Sequence, residues 1–368
     1  MKNNICIYIH WPWCRNVCNY CDYYKDKLLR NLKKNIVFNS YVRDLKVLKN
    51  YSFKKKVISI NIGGGSPSVM DKKLLKKIIK YIMDNFQISN DIEISIEVNP
   101  EDVTKERLRE YKRIGINRIC LGIQSFSNKE LHFLGRQYGK EIAINSVLQS
   151  SYFFDNIAID LLYGIPGSSV RGFEKQLYLS RDLPVKHISL YEFNYHNIKK
   201  PLYVEDLNFF KRNKKILEEK KFIFYEINSF SKKNFQSRYN VSVLDMKSFF
   251  GIGPSSYSRI IHNNAIIKLR NTRNLGHWMN SVKDTFEEKK MLAKEVIEEF
   301  LLLGLYKTNG IKISELKKVT KESLSSHICE KNIERLKRGH FLYKKAGRLF
   351  LSTKGMLLIN NIVSNILL

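Results

Sequence analysis

The sequence predicts an α/β protein with a partial (β/α)6 barrel and a smaller C-terminal α+β domain that is winged-helix-like. Three observations predict this fold. Short β-branched runs alternate with helical segments over most of the 368 residues. Polar or glycine residues occur at the same end of each run, and the alternation stops near residue 230. We therefore expect a barrel domain at residues 1–230 and a second domain, mostly helical with a small β-hairpin, at 231–368.

The predicted barrel strands are six apolar runs: Ile5–His10, Val57–Ile62, Ile92–Val98, Arg118–Ile123, Ile157–Tyr163 and His187–Phe193. Apolar residues recur at helical spacing between them, as at Leu74, Ile78 and Ile82. Alternating strands and helices favour a parallel sheet with right-handed crossovers. Because such barrels bind ligands on loops at the carboxyl ends of their strands, we expect the functional site there.

The C-terminal part predicts helices and one hairpin. The helices are expected at Met291–Lys307, from Ile311–Leu316 onward, at Asn332–Arg338 and at Thr353–Leu368, and the hairpin at Phe341–Tyr343 and Arg348–Leu351 through Ala346-Gly347. This order resembles a winged-helix module. Such modules bind nucleic acid in some proteins and pack as lids in others, and we favour the second interpretation.

The composition limits the classes of function. The formal net charge is +29, but lysine is spread along the chain, which favours a solvated surface over a polyanion-binding one; no specific nucleic acid is expected, and peripheral contact with an acidic membrane stays open. No apolar run approaches the roughly 20 residues of a membrane span, and His10 interrupts the short N-terminal run. We expect a cytoplasmic protein.

Three of the six cysteines lie together in the segment HWPWCRNVCNYCDYY, as Cys14, Cys18 and Cys21. A structural zinc site normally uses four protein ligands, and disulfides use cysteines in pairs. Three thiolates can hold a [4Fe–4S] cluster and leave one iron open to a substrate or cofactor. A zinc site with His10 as the fourth ligand is the alternative, and we favour the iron–sulfur cluster.

Chemically distinctive residues follow, end or lie within the other predicted strands: the Gly63–Pro67 run after the second, Glu97 near the end of the third, Gln124 at the end of the fourth, Asp160 within the fifth and Tyr191-Glu192 at the end of the sixth. Residues of this kind at one edge of one sheet predict a single pocket. The triple glycine allows close approach of the backbone to a small ligand, although its spacing is not that of a phosphate-binding loop. Carboxylates within apolar strands need polar partners when buried, which favours a functional role for Glu97 and Asp160.

The Cys-x3-Cys-x2-Cys spacing, Tyr20 before the last cysteine and the glycine triplet resemble the radical S-adenosylmethionine (SAM) superfamily. Longer segments resemble its oxygen-independent coproporphyrinogen III oxidase-like group: Tyr8–Cys14, Gly63–Ser68, Glu97–Pro100, Gly122–Phe126, Leu134–Arg136, Asp160–Pro166, Tyr225–Ile227, Gly251–Pro254 and Leu351–Gly355. The resemblance covers nearly the whole chain in order. It implies a radical SAM barrel followed by the C-terminal domain of this group.

The resemblance also implies roles for individual residues. Cys14, Cys18 and Cys21 would bind the [4Fe–4S] cluster, whose open iron would take the amino and carboxylate groups of SAM. The remaining implied SAM contacts are Gly64, Gly65 and Ser66 for the methionine end, Tyr20 near the adenine, and Tyr8, Glu97, Gln124, Arg136 and Asp160. Tyr8 could instead be a core aromatic residue, and Arg136 only a partner for the buried carboxylates. No catalytic residue is assigned, and a reduced flavodoxin- or ferredoxin-type protein is the implied electron donor.

The sequence departs from the true oxidases at one position. They carry a further cysteine two residues after the third, where this chain has Cys21-Asp22-Tyr23, and this resembles the heme-chaperone (HemW) branch. The His-Asn-x-x-Tyr-Trp motif of that branch is replaced, with Tyr239, Val243 and Leu244 at its His, Tyr and Trp positions, so the sequence identifies no heme ligand.

The expected function is that of a heme chaperone, which binds heme or a porphyrin as cargo and delivers it to acceptor proteins. The alternatives are a coproporphyrinogen III oxidase that converts propionates to vinyl groups, and a nucleic-acid-binding or RNA-modifying enzyme. The identity of the heme acceptor and the oligomeric state stay open, a homodimer included.

Overall fold

The structure is a computed structural model that describes residues 4–18, 20–29, 31–52, 54–193, 207–263, 265–312, 314–315 and 327–367. Its strands are β1 (Asn4–Trp11), β2 (Trp13–Cys14), β3 (Asp26–Lys27), β4 (Lys56–Gly64), β5 (Gln87–Val98), β6 (Arg118–Gln124), β7 (Asn156–Tyr163), β8 (His187–Glu192), β9 (Ile223–Glu226), β10 (Ser229–Ser231), β11 (Ser248–Ile252), β12 (Tyr257–His262), β13 (Ala265–Asn271), β14 (Phe286–Lys290), β15 (Ile311–Lys312), β16 (Leu342–Lys345) and β17 (Arg348–Leu351).

The α-helices are α1 (Lys34–Lys49), α2 (Lys72–Asn85), α3 (Lys105–Ile114), α4 (Asn128–Phe133), α5 (Lys140–Ser151), α6 (Val170–Asp182), α7 (Leu207–Glu218), α8 (Arg238–Leu244), α9 (Leu275–Asn280), α10 (Ala293–Tyr306), α11 (Glu330–Arg338), α12 (Thr353–Met356) and α13 (Ile359–Ile366). Helix α2 illustrates the sequence features that form these helices, a capping residue at the start and one apolar face. Asp71 accepts a hydrogen bond from the backbone N–H of Leu74 at its start, and Leu74, Ile78 and Ile82 are buried along one face.

The six predicted barrel strands are confirmed. They pair in parallel in the order β1-β4-β5-β6-β7-β8, within a sheet that has twelve strands in the described residues. This sheet also contains chain beyond residue 230, because β11 pairs in parallel with the free side of β1 and β12–β14 follow antiparallel. The division of domains at residue 230 stays a prediction. The large sheet contains strands from both sides of that position.

The C-terminal part confirms the hairpin, helix α10 and a helix that ends at Arg338. The hairpin turn uses Ala346 and Gly347 with φ of 51° and 69°, the left-handed conformation of a tight turn. The predicted helix from Ile311 is wrong at its start, because Ile311 and Lys312 form β15 and pair with β17. Edge pairing and burial of Ile311 outweigh local helical spacing there, and Leu316 lies outside the described residues.

The last predicted helix, Thr353–Leu368, is broken into α12 and α13 at Leu357 and Leu358. Helix α12 lies so close to the residue that precedes β16 that a Cβ on Gly355 would collide with the carbonyl oxygen of Phe341. Leu368 lies outside the described residues. In the part of the chain that is described, no helix combines the length and the apolar character needed to cross a membrane.

Two faces of the parallel strands differ in composition. Alternate residues such as Ile7, Ile60 and Ile96 pack in the main hydrophobic core. The residues between them form cross-strand rows on the other face: Tyr8, Asn61, Ser95, Arg118 and Asn156, then Glu97, Cys120, Ala158 and His187. Barrels with a packed interior carry branched apolar residues at such positions, so this polar face marks a ligand-binding interior.

Candidate cofactor site

A cavity of about 470 Å³ opens at the carboxyl ends of the parallel strands, and we call it the cofactor cavity. It brings together all the sequence-predicted site residues except Tyr8: Cys14, Cys18, Cys21, Tyr20, Gly64, Gly65, Ser66, Glu97, Gln124, Arg136 and Asp160. These residues come from the loop after β1 and from β4 through β7 and their following loops. The predicted convergence of strand ends on one pocket is therefore observed, and what the pocket binds stays a prediction.

The three cysteines lie on one loop that is anchored at both ends. Cys14 ends β2, which pairs with β3, and its thiol lies against the backbone of the glycine run: a Cβ on Gly65 would come within 2.9 Å of Cys14 Sγ. Burial raises the pKa of the Cys14 thiol, and a hydrogen bond with the Ser66 side chain opposes this. Three thiols that share a cavity with backbone amides and carboxylates fit a [4Fe–4S] cluster whose fourth iron takes a small ligand.

The alternative zinc site with His10 finds no support. Both ring nitrogens of His10 are engaged, Nε2 with the carbonyl oxygen of Tyr24 at 2.9 Å and Nδ1 with the hydroxyl of Tyr8 at 3.2 Å. Burial lowers the pKa of His10 to about 4. Among the described residues, no three His, Cys, Asp or Glu side chains converge closely enough to hold a single metal ion.

The glycine run is required by close approaches at the end of β4. A Cβ on Gly63 would collide with the carboxylate of Glu97. Gly64 has a φ of 108°, and a Cβ there would lie 2.8 Å from the ring of His10. A side chain at either position would push β4 away from β1 or β5, so both glycines bring the backbone to the rim of the cavity.

Two half-buried carboxyl groups, Glu97 and Asp160, face this cavity. Burial and the neighbouring Asp160 raise the pKa of Glu97 to about 8, against hydrogen bonds from the Gly64 N–H and the Asn61 side chain. Burial raises the pKa of Asp160 to about 6, opposed by the Ser189 hydroxyl and by Arg118. Glu97 is therefore mostly protonated near neutral pH, and a ligand with an ammonium group or sugar hydroxyls would supply the missing partners.

Arg136 does not pair with these carboxyl groups. It donates from Nε and Nη2 to the hydroxyl of Tyr20 at 3.0 and 2.6 Å, and from Nη1 to Asn99 Oδ1 at 3.4 Å. Asn99 Nδ2 donates in turn to the hydroxyl of Ser66 at 3.2 Å. This chain of hydrogen bonds ties the cysteine loop to the ends of β4 and β5. The alternative that Arg136 only neutralises the buried carboxylates is wrong.

Gln124 and Tyr8 are the two remaining residues of the predicted site. Gln124 lines the cavity with a φ of 64°, at a register irregularity where β6 leaves β7. Tyr8 does not line it: its ring stacks on Tyr239 with centroids 5.8 Å apart, in a neighbouring cavity. Sequence reasoning missed Asn99 and Tyr23 as lining residues, although Asn99-Pro100 after a predicted strand was a usable signal.

The sequence matches two families, the Radical SAM superfamily over residues 8–175 and the HemN C-terminal domain over residues 291–358. It is 30% identical to the heme chaperone HemW of Buchnera aphidicola from Acyrthosiphon pisum, over 98% of this chain and 97% of that protein. It is 26% identical to the heme chaperone HemW of Lactococcus lactis, over 98% and 97% of the two chains. The mitochondrial radical S-adenosyl methionine domain-containing protein 1 of Danio rerio is also 26% identical, over 98% and 86%.

Among solved structures, the coproporphyrinogen III oxidase HemN of Escherichia coli superimposes with a TM-score of 0.82. The superposition covers 99% of this chain and 90% of that one, at 18% sequence identity. At this identity the likeness establishes the fold alone. It confirms that the barrel and the C-terminal part together form one known architecture.

Proposed function

This chain belongs to the HemW family of heme chaperones within the radical SAM superfamily, and from that premise we propose that it binds heme and delivers it to acceptor proteins. The observation that carries the proposal is the similarity to HemW proteins along the full length of the chain. The departure at Cys21-Asp22-Tyr23 agrees with it, since a cysteine of the oxidases is missing there.

The proposal includes a [4Fe–4S] cluster on Cys14, Cys18 and Cys21, with SAM in the cofactor cavity. When bound, the cluster supplies the electron for reductive cleavage of SAM. The chain itself would contribute backbone groups of the Gly63–Ser66 segment to the methionine end and hydrogen-bonding carboxyl groups at Glu97 and Asp160. We place the protein in the cytoplasm, with a reduced flavodoxin- or ferredoxin-type electron donor.

Anaerobic reconstitution tests the cluster. We expect about four irons and four sulfides per chain in the wild type and loss of most of this iron in Cys18→Ser. Cys329→Ser is the matched control, because Cys329 lies at the start of α11 and lines neither the cofactor cavity nor its neighbour. A wild-type chain that retains one zinc ion and no sulfide would contradict the cluster.

Hemin titration and transfer test the chaperone function. We expect saturable binding with a shifted Soret band, followed by transfer of the heme to apomyoglobin as a probe acceptor. Coproporphyrinogen III with SAM and dithionite serves as the comparison reaction, in which we expect no vinyl product. Absence of saturable heme binding would remove the chaperone proposal, and vinyl formation would replace it with the oxidase alternative.

A further inference from the structure

Asp102 is a buried carboxylate that directly follows Glu101, a residue of the cofactor-cavity wall. It lies in a short 3₁₀ turn after β5, and its side chain is only 3% exposed. A carboxylate at this depth needs hydrogen-bond donors in place of water. Side chains from three different segments supply them: Arg15, Ser68 and Arg107.

The three donors converge on the two carboxylate oxygens. Arg15 Nη2 donates to Oδ1 of Asp102 at 2.7 Å, and Arg107 Nη1 lies 3.3 Å from the same oxygen. Ser68 Oγ donates to Oδ2 at 2.7 Å, and Arg107 also donates to the backbone carbonyl oxygen of Asp102 at 3.1 Å. Charge-assisted hydrogen bonds to a buried acceptor are strong and little screened by salt, so Asp102 ties the three segments together.

Two of these segments carry the cofactor site. Arg15 directly follows Cys14 in the cysteine loop, residues 14–21, and Ser68 directly follows the Gly63–Pro67 run after β4. The third donor, Arg107, lies on α3 and does not line the cofactor cavity. Asp102 therefore joins the cysteine loop to the ends of β4 and β5.

The hydrogen bond from Arg15 is the tether of the first half of the cysteine loop. The loop begins in the β2–β3 pair and is held again at Tyr20, whose hydroxyl accepts two hydrogen bonds. In the described part of the stretch between these points, Arg15 to Asp102 is the only hydrogen bond that reaches the barrel. Val17 in this stretch is 48% exposed, so packing contributes little there. The placement of Cys18 therefore depends on the Arg15–Asp102 pair.

We propose that Asp102 is a positioning residue for the iron–sulfur cluster, which holds the cysteine loop and its Cys18 thiol in place through Arg15. The inference rests on the proposed cluster and adds the residue that orders its ligands. Asp102 and Arg15 do not bind the metal themselves. They restrict the loop before the cluster is bound, and a ligand that is already in place loses less conformational entropy on binding.

Release of iron to a chelator tests this role in the anaerobically reconstituted full chain. We compare wild type with Arg15→Met, Asp102→Asn and Arg107→Met. The Arg15 side chain is 57% exposed, so its loss should leave the fold intact. We expect iron release to be about 10-fold faster in Arg15→Met and in Asp102→Asn, and close to the wild-type rate in Arg107→Met.

Arg107→Met is the matched control. It removes the other guanidinium group from the same carboxylate, but that group comes from α3 and not from the cysteine loop. Any effect that arises only from a less stable turn at Asp102 should therefore appear in this variant as well. Arg15→Lys should recover part of the wild-type rate, because an ammonium group can still donate to Asp102 but lacks the planar geometry of the guanidinium.

The two loop variants also separate positioning from a simple effect of charge. Arg15→Met removes a positive charge near the cysteine loop, and Asp102→Asn removes a negative one. An effect of charge alone would change the rate of iron release and the reduction potential of the cluster in opposite directions. Loss of the tether should make release faster in both variants.

Hydrogen exchange of the chain without iron measures the order of the loop directly. We expect peptides that cover residues 14–21 to exchange faster in Arg15→Met and Asp102→Asn than in wild type or Arg107→Met. Peptides from β4 and β5 should exchange at wild-type rates, which would show that the fold is intact. Arg15→Met and Arg107→Met carry the comparison if Asp102→Asn misfolds.

The outcomes separate this proposal from the proposed function. Wild-type iron release or wild-type loop exchange in Arg15→Met would overturn the positioning role and leave the cluster standing. Equal acceleration in Arg107→Met, or opposite changes of the release rate in Arg15→Met and Asp102→Asn, would also overturn it. A wild-type chain that binds no cluster would overturn both proposals.

Discussion

Glu97→Gln should make the protein without SAM less sensitive to rising pH. The wild-type carboxyl group has its pKa raised to about 8 in the folded state by burial and by Asp160. In the unfolded chain it ionises near its ordinary value of about 4.5. Between these two values the unfolded state binds fewer protons than the folded state, so the free energy of unfolding falls as the pH rises.

The size of the effect follows from the two pKa values. Each pH unit inside the window costs up to about 1.4 kcal/mol, so the loss between pH 5 and pH 8 is at most about 4 kcal/mol. Glu97 faces a cavity that water can enter, and such access weakens the effect of burial; we therefore expect about 2 kcal/mol. Glutamine has nearly the same shape and no charge to bury. The substitution therefore removes this pH dependence of the free energy of unfolding.

Urea unfolding at pH 5, 6, 7 and 8 measures this pH dependence, with the fluorescence of Trp11, Trp13 and Trp278 as the probe, because all three rings are buried in the main hydrophobic core. The quantity to compare is the difference between wild type and variant, in which the opposing titration of the buried histidines cancels. Glu106→Gln is the control, since its pKa is lowered by a hydrogen bond from Lys72. Parallel pH curves for wild type and Glu97→Gln would refute the burial argument.

Three further substitutions test the fold and the cofactor site. Asp44→Ala should lower the free energy of unfolding by about 3–5 kcal/mol, measured in urea, because the buried carboxylate accepts three N–H hydrogen bonds from different segments. Gly64→Ala should cost about 1–3 kcal/mol for its left-handed backbone, with added loss of iron from the clash with His10. Arg136→Lys should speed iron loss in air by about 10-fold, because lysine cannot make both hydrogen bonds to Tyr20.

The barrel could be predicted from the sequence because its signals are local. The run from Ile5 to His10 alternates buried isoleucines with polar or aromatic residues, and that alternation alone fixes a strand with two different faces. The short strand at Ile311 could not be predicted in this way. Its two residues become a strand only by pairing with Leu349 and Arg348, which lie far along the chain.

The candidate site also has features that the local sequence predicts and features that depend on the fold. Close spacing places Cys14, Cys18 and Cys21 on one loop, so their convergence needs no knowledge of the fold. The partner of Arg136 depends on where its loop lies over Tyr20, and the position of Tyr8 depends on how far along β1 the cofactor cavity begins. The sequence around Arg136 or Tyr8 does not determine either arrangement. Each is set by the register between strands.

His187, which lines the neighbouring cavity, shows the same limit most clearly, since a histidine at the start of an apolar strand is ordinarily a core residue. Its pairing across the sheet puts it in one row with Cys120 and Glu97, whose side chains also face the cofactor cavity. A ligand in either cavity would therefore change the surroundings of the same carboxyl groups. Any coupling between ligands in the two cavities acts equally in both directions, because the coupling free energy belongs to the pair of ligands. A barrel interior built from polar rows thus places both cavities against the same carboxyl groups, which a packed apolar interior with separate surface sites would not do.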